Sequence, residues 1–376
     1  MSTTATDPAR PRSSASGYIP TLDGWRALAV FSVIAFHDRL HQFGWFSDKW
    51  VHDQGYLGVD LFFAISGLLI CSRLLDEEAK TARISLKNFY IRRTFRIIPP
   101  MLAFLIVAAT LGWAHIIHVS SGAWLSSLFF VNNYHAAYVH DIEWSFYTNH
   151  FWTLAVEEHF YLVLPALLVF APNKRVKLLG LLSALGLIWN IVYTAVYRQD
   201  PFVRFSLHRT DLRIFELLFP ALLAVLFRRP NIRQLAVRFC RPAFIFPLMI
   251  AAIIANLHMT IRVIVPLVAP LLLLSTVLHP HTVAGRVLEW APLRALGRIS
   301  YGIYLWQQLF YNGYYPYANG FLHHLQTRPW NLVSTLICAT ASYWLLERPL
   351  IRLGHRIAAP ATPGHSDLPI GPMALS

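Results

Sequence analysis

The chain has 376 residues, of which 56% are hydrophobic and 14% charged, with 32 Lys and Arg against 19 Asp and Glu and a formal net charge of +13. A soluble domain carries about 25% charged residues, so this composition excludes one and indicates an integral membrane protein whose first partner is the lipid bilayer. The basic excess does not indicate a nucleic-acid partner, because the Lys and Arg fall between apolar runs and no nucleic-acid module is recognisable.

Residues 1–19, rich in Ser, Thr, Ala and Pro, read as a disordered tail. The apolar run that follows has no clear small-residue cleavage site and is read as a retained first span. A bilayer core requires roughly 20 apolar residues per helix. That ruler predicts ten spans, at about 24–45, 56–75, 97–118, 152–171, 177–197, 213–228, 242–258, 261–279, 299–317 and 330–350. A weaker piece, 122–131, is too short to cross and is expected in a loop or as a re-entrant segment. The fold class is therefore all-α, a polytopic membrane helix bundle over residues 20–356, followed by a second disordered tail at 357–376. With a cytoplasmic N-terminus, 24 of the 32 Lys and Arg lie on the inner side, so the positive-inside rule places both termini in the cytoplasm. Cys71, Cys240 and Cys338 are far apart, which predicts neither a disulfide framework nor a zinc site, and no metal ligands are assigned.

The first span contains "RALAVFSVIAFH", an apolar run bounded by Arg26 and His37. Eleven helical steps bring the two within about 20° of one azimuth and about 16 Å apart. Ionisable groups at membrane depth are costly and mark a site by default. His37 has the chemistry of a general base near neutral pH, although a polar packing residue is the alternative. In the second span, "GVDLFFAISGLLI" places Asp60 about 6 Å below the outer surface, which is the depth expected of His37. Asp60 is thus expected either to orient His37 or to make an unrelated inter-helix bond. Glu157 and Glu158, in "FWTLAVEEHFYLVLP", fall at a similar level, and adjacent carboxylates on a helix diverge, so at most one faces His37. At the inner surface "FYIRRTFRIIPP" sets Arg92, Arg93 and Arg96 ahead of Pro99-Pro100, with Arg93 and Arg96 on one face. Guanidinium groups bind phosphate in a bidentate way, so this corner predicts an anionic, phosphate-bearing ligand from the cytoplasm. Arginines there that serve only topology or lipid headgroups are the alternative.

These stretches, with "LDGWRALAVFSVIAFH", "LGRISYGIYLW" and the closing "LERP", resemble the acyltransferase-3 family of ten-helix membrane acyltransferases, which includes bacterial O-acetylases of cell-surface glycans. The resemblance runs in the family's order from residue 20 to about 350. It implies acyl transfer, usually of acetyl from acetyl-coenzyme A, to a hydroxyl of a carbohydrate or glycolipid acceptor across the membrane. Acyl-CoA is then a donor substrate, and no bound cofactor is expected. The family's Arg-x10-His pair maps onto Arg26 and His37, and its Arg-x-x-Arg pair onto Arg93 and Arg96, the phosphate holders. Many members carry histidine after "YLW", where this chain has Gln307-Gln308. Some carry a C-terminal hydrolase-like domain, whose role is here expected of the membrane part alone or of a separate extracytoplasmic partner. Under this resemblance the basic outer loop gains a purpose: Arg209, Asp211 and Arg213, with Glu216, would meet the acceptor, an i, i+3 ion pair between Arg213 and Glu216 being the alternative. A competing class is a transporter or flippase of a lipid-linked glycan, motivated by ten spans with buried charges. No internal repeat of the kind transporters show is visible.

Overall fold

The computed structural model describes residues 18–38, 48–139, 142–200, 203–258, 263–311 and 318–358. Almost all of both expected tails lies outside them. Among the described residues every regular element is helical. Helix α1 (Pro20–His37) starts on a proline, whose missing amide and fixed φ suit a first turn. It is followed by the 34-residue α2 (Asp48–Thr81) and by α3 (Leu86–Trp113), whose N-cap Ser85 accepts from the amide of Asn88. Three short helices, α4 (Ser121–Leu128), α5 (Asn132–Val139) and α6 (Ile142–Asn149), then lead into α7 (Phe151–Phe170) and α8 (Arg175–Val196). The short α9 (Val203–Ser206) and α10 (Thr210–Arg213) introduce α11 (Phe215–Leu226). Then come α12 (Pro230–Phe239), α13 (Pro242–His258), α14 (Ile264–Leu278), α15 (Val283–Leu288), α16 (Ala291–Arg298) and α17 (Ser300–Phe310). The chain closes with α18 (Phe321–Leu325), α19 (Trp330–Ser342), a π-helical turn at Tyr343–Glu347, and α20 (Arg348–Ala358).

Among the described residues each of the ten predicted apolar runs includes helix, while residues 39–45, 261–262 and 312–317 of three of those runs lie outside the described residues. Among the described residues four helical stretches, Tyr56–Thr81, Leu86–Trp113, Phe146–Phe170 and Pro172–Val196, are long and apolar enough to cross a membrane. A fifth is added if α12 and α13, bent by 74° at their junction, count as one span. The 122–131 piece forms the eight-residue α4, too short to cross. Large apolar side chains such as Ile106, Leu162, Leu185 and Ile188 remain more than half exposed, as expected of helices whose outer face meets lipid rather than water.

The interior is organised around α1 and α2, which pack on each other, while α1 also meets α16 and α2 meets α11. Two glycines set these approaches. A Cβ on Gly58 of α2 would collide with the carbonyl oxygen of Ala29 and the side chain of Val33, and one on Gly297 of α16 would collide with the carbonyl of Asp23. Trp25 of α1 donates to the Thr276 hydroxyl of α14 at 2.9 Å, fixing the helix from a third side. Gly297→Ala is therefore expected to push α16 off α1 and destabilise the bundle by about 1–3 kcal/mol. A thermal midpoint in detergent equal to that of the wild type would show the contact to be looser than described.

Candidate functional site

A cleft enclosing about 850 Å³ of empty space, its open mouth included, lies among α1, α2, α3, α7 and α17. Its α2 wall extends from Val59 to Arg73, fourteen residues or about 21 Å of helix. One end is cationic, with Arg26 from α1, Arg73 from α2, and Arg93 and Arg96 from α3, against the single carboxylate of Glu157. The middle is apolar, with Phe62, Phe63, Leu69 and Ile70, and the other end carries the hydroxyls of Thr153 and Tyr304. Arg26 donates to Asp23 at 3.1 Å, and the same buried carboxylate accepts from Tyr18 at 2.6 Å. The Arg93 guanidinium lies 3.7 Å over the ring of Tyr161. Neither Arg73 nor Arg96 has an ion-pair partner among the described residues. With Arg26 already paired to Asp23, Arg73, Arg93 and Arg96 face the one lining carboxylate of Glu157, and an anion supplied by a ligand would neutralise the surplus.

His37 ends α1, eleven residues and about 16 Å beyond Arg26. Its Nδ1 lies 2.9 Å from the carbonyl oxygen of Val33. A carbonyl only accepts, so Nδ1 carries the proton and Nε2 presents a lone pair, the tautomer a general base needs. The ring packs edge-on to Phe36, and the next residue, Asp38, is held by Arg328 at 3.1 Å and Asn331 at 2.9 Å. These bonds fix the end of α1 and with it the imidazole. Gly58 packs against Ala29 and Val33, so Val59, at the far end of the cleft, lies about 10 Å, nearly two helical turns, short of His37 along α1.

Of the two expectations for Asp60, the inter-helix contact describes it, and it is not among the residues that line the cleft. Along α2 Asp60 lies two residues beyond Gly58, on the side away from the His37 end of α1. It also stands 200° round from Gly58, the residue that faces α1. Its carboxylate instead meets Arg213 at 3.6 Å, and Arg213 donates to Glu216 at 2.6 Å. All three are buried, so the i, i+3 pairing describes Arg213 and Glu216, and neither faces an open mouth. Beside them Trp152 stacks on His208 at 4.3 Å. Arg209 and Asp211 bond each other at 2.7 Å, and Asp211 also accepts from Trp189 at 2.8 Å. That partly exposed pair is the remainder of the predicted acceptor surface.

The two glutamates separate as helix geometry requires. Glu157 lines the cleft and accepts from Ser66 at 2.7 Å and Tyr161 at 2.9 Å, whereas Glu158 lies off it with Oε1 unpartnered among the described residues. Arg92 is also turned away from the cleft, donating to Glu77 at 3.1 Å. Gln307 donates to Gln308, which donates to the carbonyl of Phe146, both side chains being buried. Sequence reasoning missed Arg73, Thr153, Tyr301 and Tyr304. For Arg73 a signal existed: Phe62, Ser66, Leu69, Ile70 and Arg73 follow the helical spacing of a single face.

Residues 19–348 match a family model described as an acyltransferase domain. The chain is 30% identical over 368 residues to the peptidoglycan O-acetyltransferase OatA of Listeria monocytogenes, covering 90% of this chain and 56% of that protein. It is 27% identical over 380 residues to the O-acetyltransferase OatA of Staphylococcus aureus, covering 91% of this chain and 58% of that protein. The chain thus spans little more than half the length of these relatives. No solved structure matches it.

Proposed function

The chain belongs to the acyltransferase-3 family, and from that premise we propose that it transfers an acetyl group from cytoplasmic acetyl-coenzyme A to a sugar hydroxyl of peptidoglycan on the outer side of the membrane. The observation that supports this reading is the cleft, with four arginines at one end and its other end about 10 Å, nearly two helical turns, short of His37 along α1. Arg26, Arg73, Arg93 and Arg96 take the phosphates, while the thioester arm follows the apolar wall of α2 toward Thr153 and Tyr304. The acceptor hydroxyl gives its proton to Nε2 of His37 as its oxygen bonds the thioester carbon. The carbon–sulfur bond then breaks and the leaving thiolate takes that proton from His37. A thioester is already activated, so orientation and a base provide the chemistry required. The names of the relatives support peptidoglycan as the acceptor, and the basic end of the cleft supports a cytoplasmic donor.

The test is transfer of label from acetyl-coenzyme A to peptidoglycan strands in membranes containing the chain, with ester-linked acetate identified by its release in mild base. Movement of a lipid-linked glycan with no requirement for an acyl donor would favour a flippase instead. Arg96→Gln is expected to raise the KM for acetyl-coenzyme A about tenfold or more with kcat little changed, because it removes one charge-assisted contact to phosphate. Arg73→Gln, at the exposed mouth, should act in the same direction with a smaller effect that fades at high salt.

A further inference from the structure

His150 immediately precedes α7 and is 4% exposed, yet neither ring nitrogen has a hydrogen-bond partner among the described residues. A neutral imidazole carries one donor and one acceptor, and buried polar groups are ordinarily paired. The ring is firmly held: Phe104 meets it edge-on at 5.1 Å, Phe151 at 4.7 Å and Tyr304 at 5.6 Å. Its backbone carbonyl accepts from the Tyr304 hydroxyl at 2.9 Å and the Thr153 hydroxyl at 3.1 Å. Those are the two hydroxyl side chains at the far end of the cleft. The ring is also within electrostatic reach of His37. A rigid, desolvated imidazole, with both nitrogens unpartnered among the described residues, therefore stands directly behind the Thr153 and Tyr304 end of the cleft and within reach of the histidine at the end of α1.

We infer that His150 is a second catalytic residue of the proposed transfer, its ring N–H donating to the carbonyl oxygen of the acyl thioester. The inference rests on acetyl-coenzyme A being the donor. As the acceptor oxygen bonds the carbonyl carbon, the carbonyl electron pair moves onto the oxygen that faces His150, and the hydroxyl proton goes to His37. Collapse restores the carbonyl, breaks the carbon–sulfur bond and releases the thiolate, which takes the proton from His37. The products are the acetyl ester and the free thiol, with no oxidant or further reactant. His150 carries no proton away: a fixed donor aimed at developing charge, in a site shielded from water, needs no reorganisation when the charge appears.

The test uses the full chain in membranes, labelled acetyl-coenzyme A, and peptidoglycan strands as the acceptor probe. His150→Leu, which suits the aromatic surroundings, should lower kcat about 10²- to 10³-fold while KM for acetyl-coenzyme A stays within about threefold. His150→Gln, whose amide places an N–H near the Nε2 position, should regain at least about tenfold of that loss. Wild-type kcat in His150→Leu overturns the inference. So does an equal loss in both variants accompanied by a lower unfolding temperature, which would make the ring a packing element. If wild-type membranes transfer nothing from acetyl-coenzyme A, the donor reading itself fails and this assignment falls with it. Turnover in the wild type is what separates the two failures.

Discussion

His37→Ala should reduce acetyl transfer about 10³-fold, within the range that a positioned general base contributes, and leave the KM for acetyl-coenzyme A close to that of the wild type. The split follows from distance. The imidazole lies about 16 Å from Arg26 along α1, so the phosphate-holding end of the cleft is intact in the variant. Folding should change little, because the ring is half-buried and its one hydrogen bond within the described residues is local, to Val33 one turn below. His37→Gln is the more telling companion. Its amide can still bond the Val33 carbonyl, yet it cannot accept a proton near neutral pH, so it should be as slow as His37→Ala. Initial rates with labelled acetyl-coenzyme A decide the matter. Activity within twofold of wild type in either variant would remove His37 from the mechanism.

Relations within one helix were legible in the sequence. Arg26 and His37 lie on the uninterrupted α1, where 3.6 residues per turn fixes azimuth and separation once the helix is recognised. Arg93 and Arg96 share a face for the same reason, and the Arg213–Glu216 pair was visible as an i, i+3 spacing. Relations between helices depended on which faces meet. Which of its two expected roles Asp60 takes was not legible, because that depends on its azimuth relative to Gly58 and on Arg213, which comes from another helix. Arg73 counts in the sequence only as one of the 24 inner-side charges, yet the packing of α2 turns it into the cleft with Arg26 and Arg96. Its apolar neighbours one and two turns earlier held that information, but only for a reader who already knew which face of α2 was occupied. His150 was hidden differently. It sits just before α7, and what distinguishes it is the absence of a partner, which no single sequence records.

Arg213→Leu should be the most destabilising single substitution in the α2–α11 interface, costing about 3–5 kcal/mol, because it leaves buried carboxylates without their cation. Arg213 is 7% exposed, Asp60 5% and Glu216 2%, so water cannot take over the solvation of either acid. Glu216 Oε2 already lacks a hydrogen-bond partner among the described residues, so the guanidinium at 2.6 Å from Oε1 is what offsets burial of that carboxylate. Asp60 at 3.6 Å is held more loosely by the same cation. The origin of the loss is therefore uncompensated charge and not missing volume, since leucine refills much of the space. Adding Glu216→Gln and Asp60→Asn to Arg213→Leu should recover most of the lost stability, because neutral amides of the same shape do not require a buried counter-ion. Unfolding midpoints in detergent for the single and triple variants measure the difference directly. A triple variant no more stable than Arg213→Leu would mean that the stacked Trp152 and His208, lying against the guanidinium, and not the paired charges, depend on Arg213.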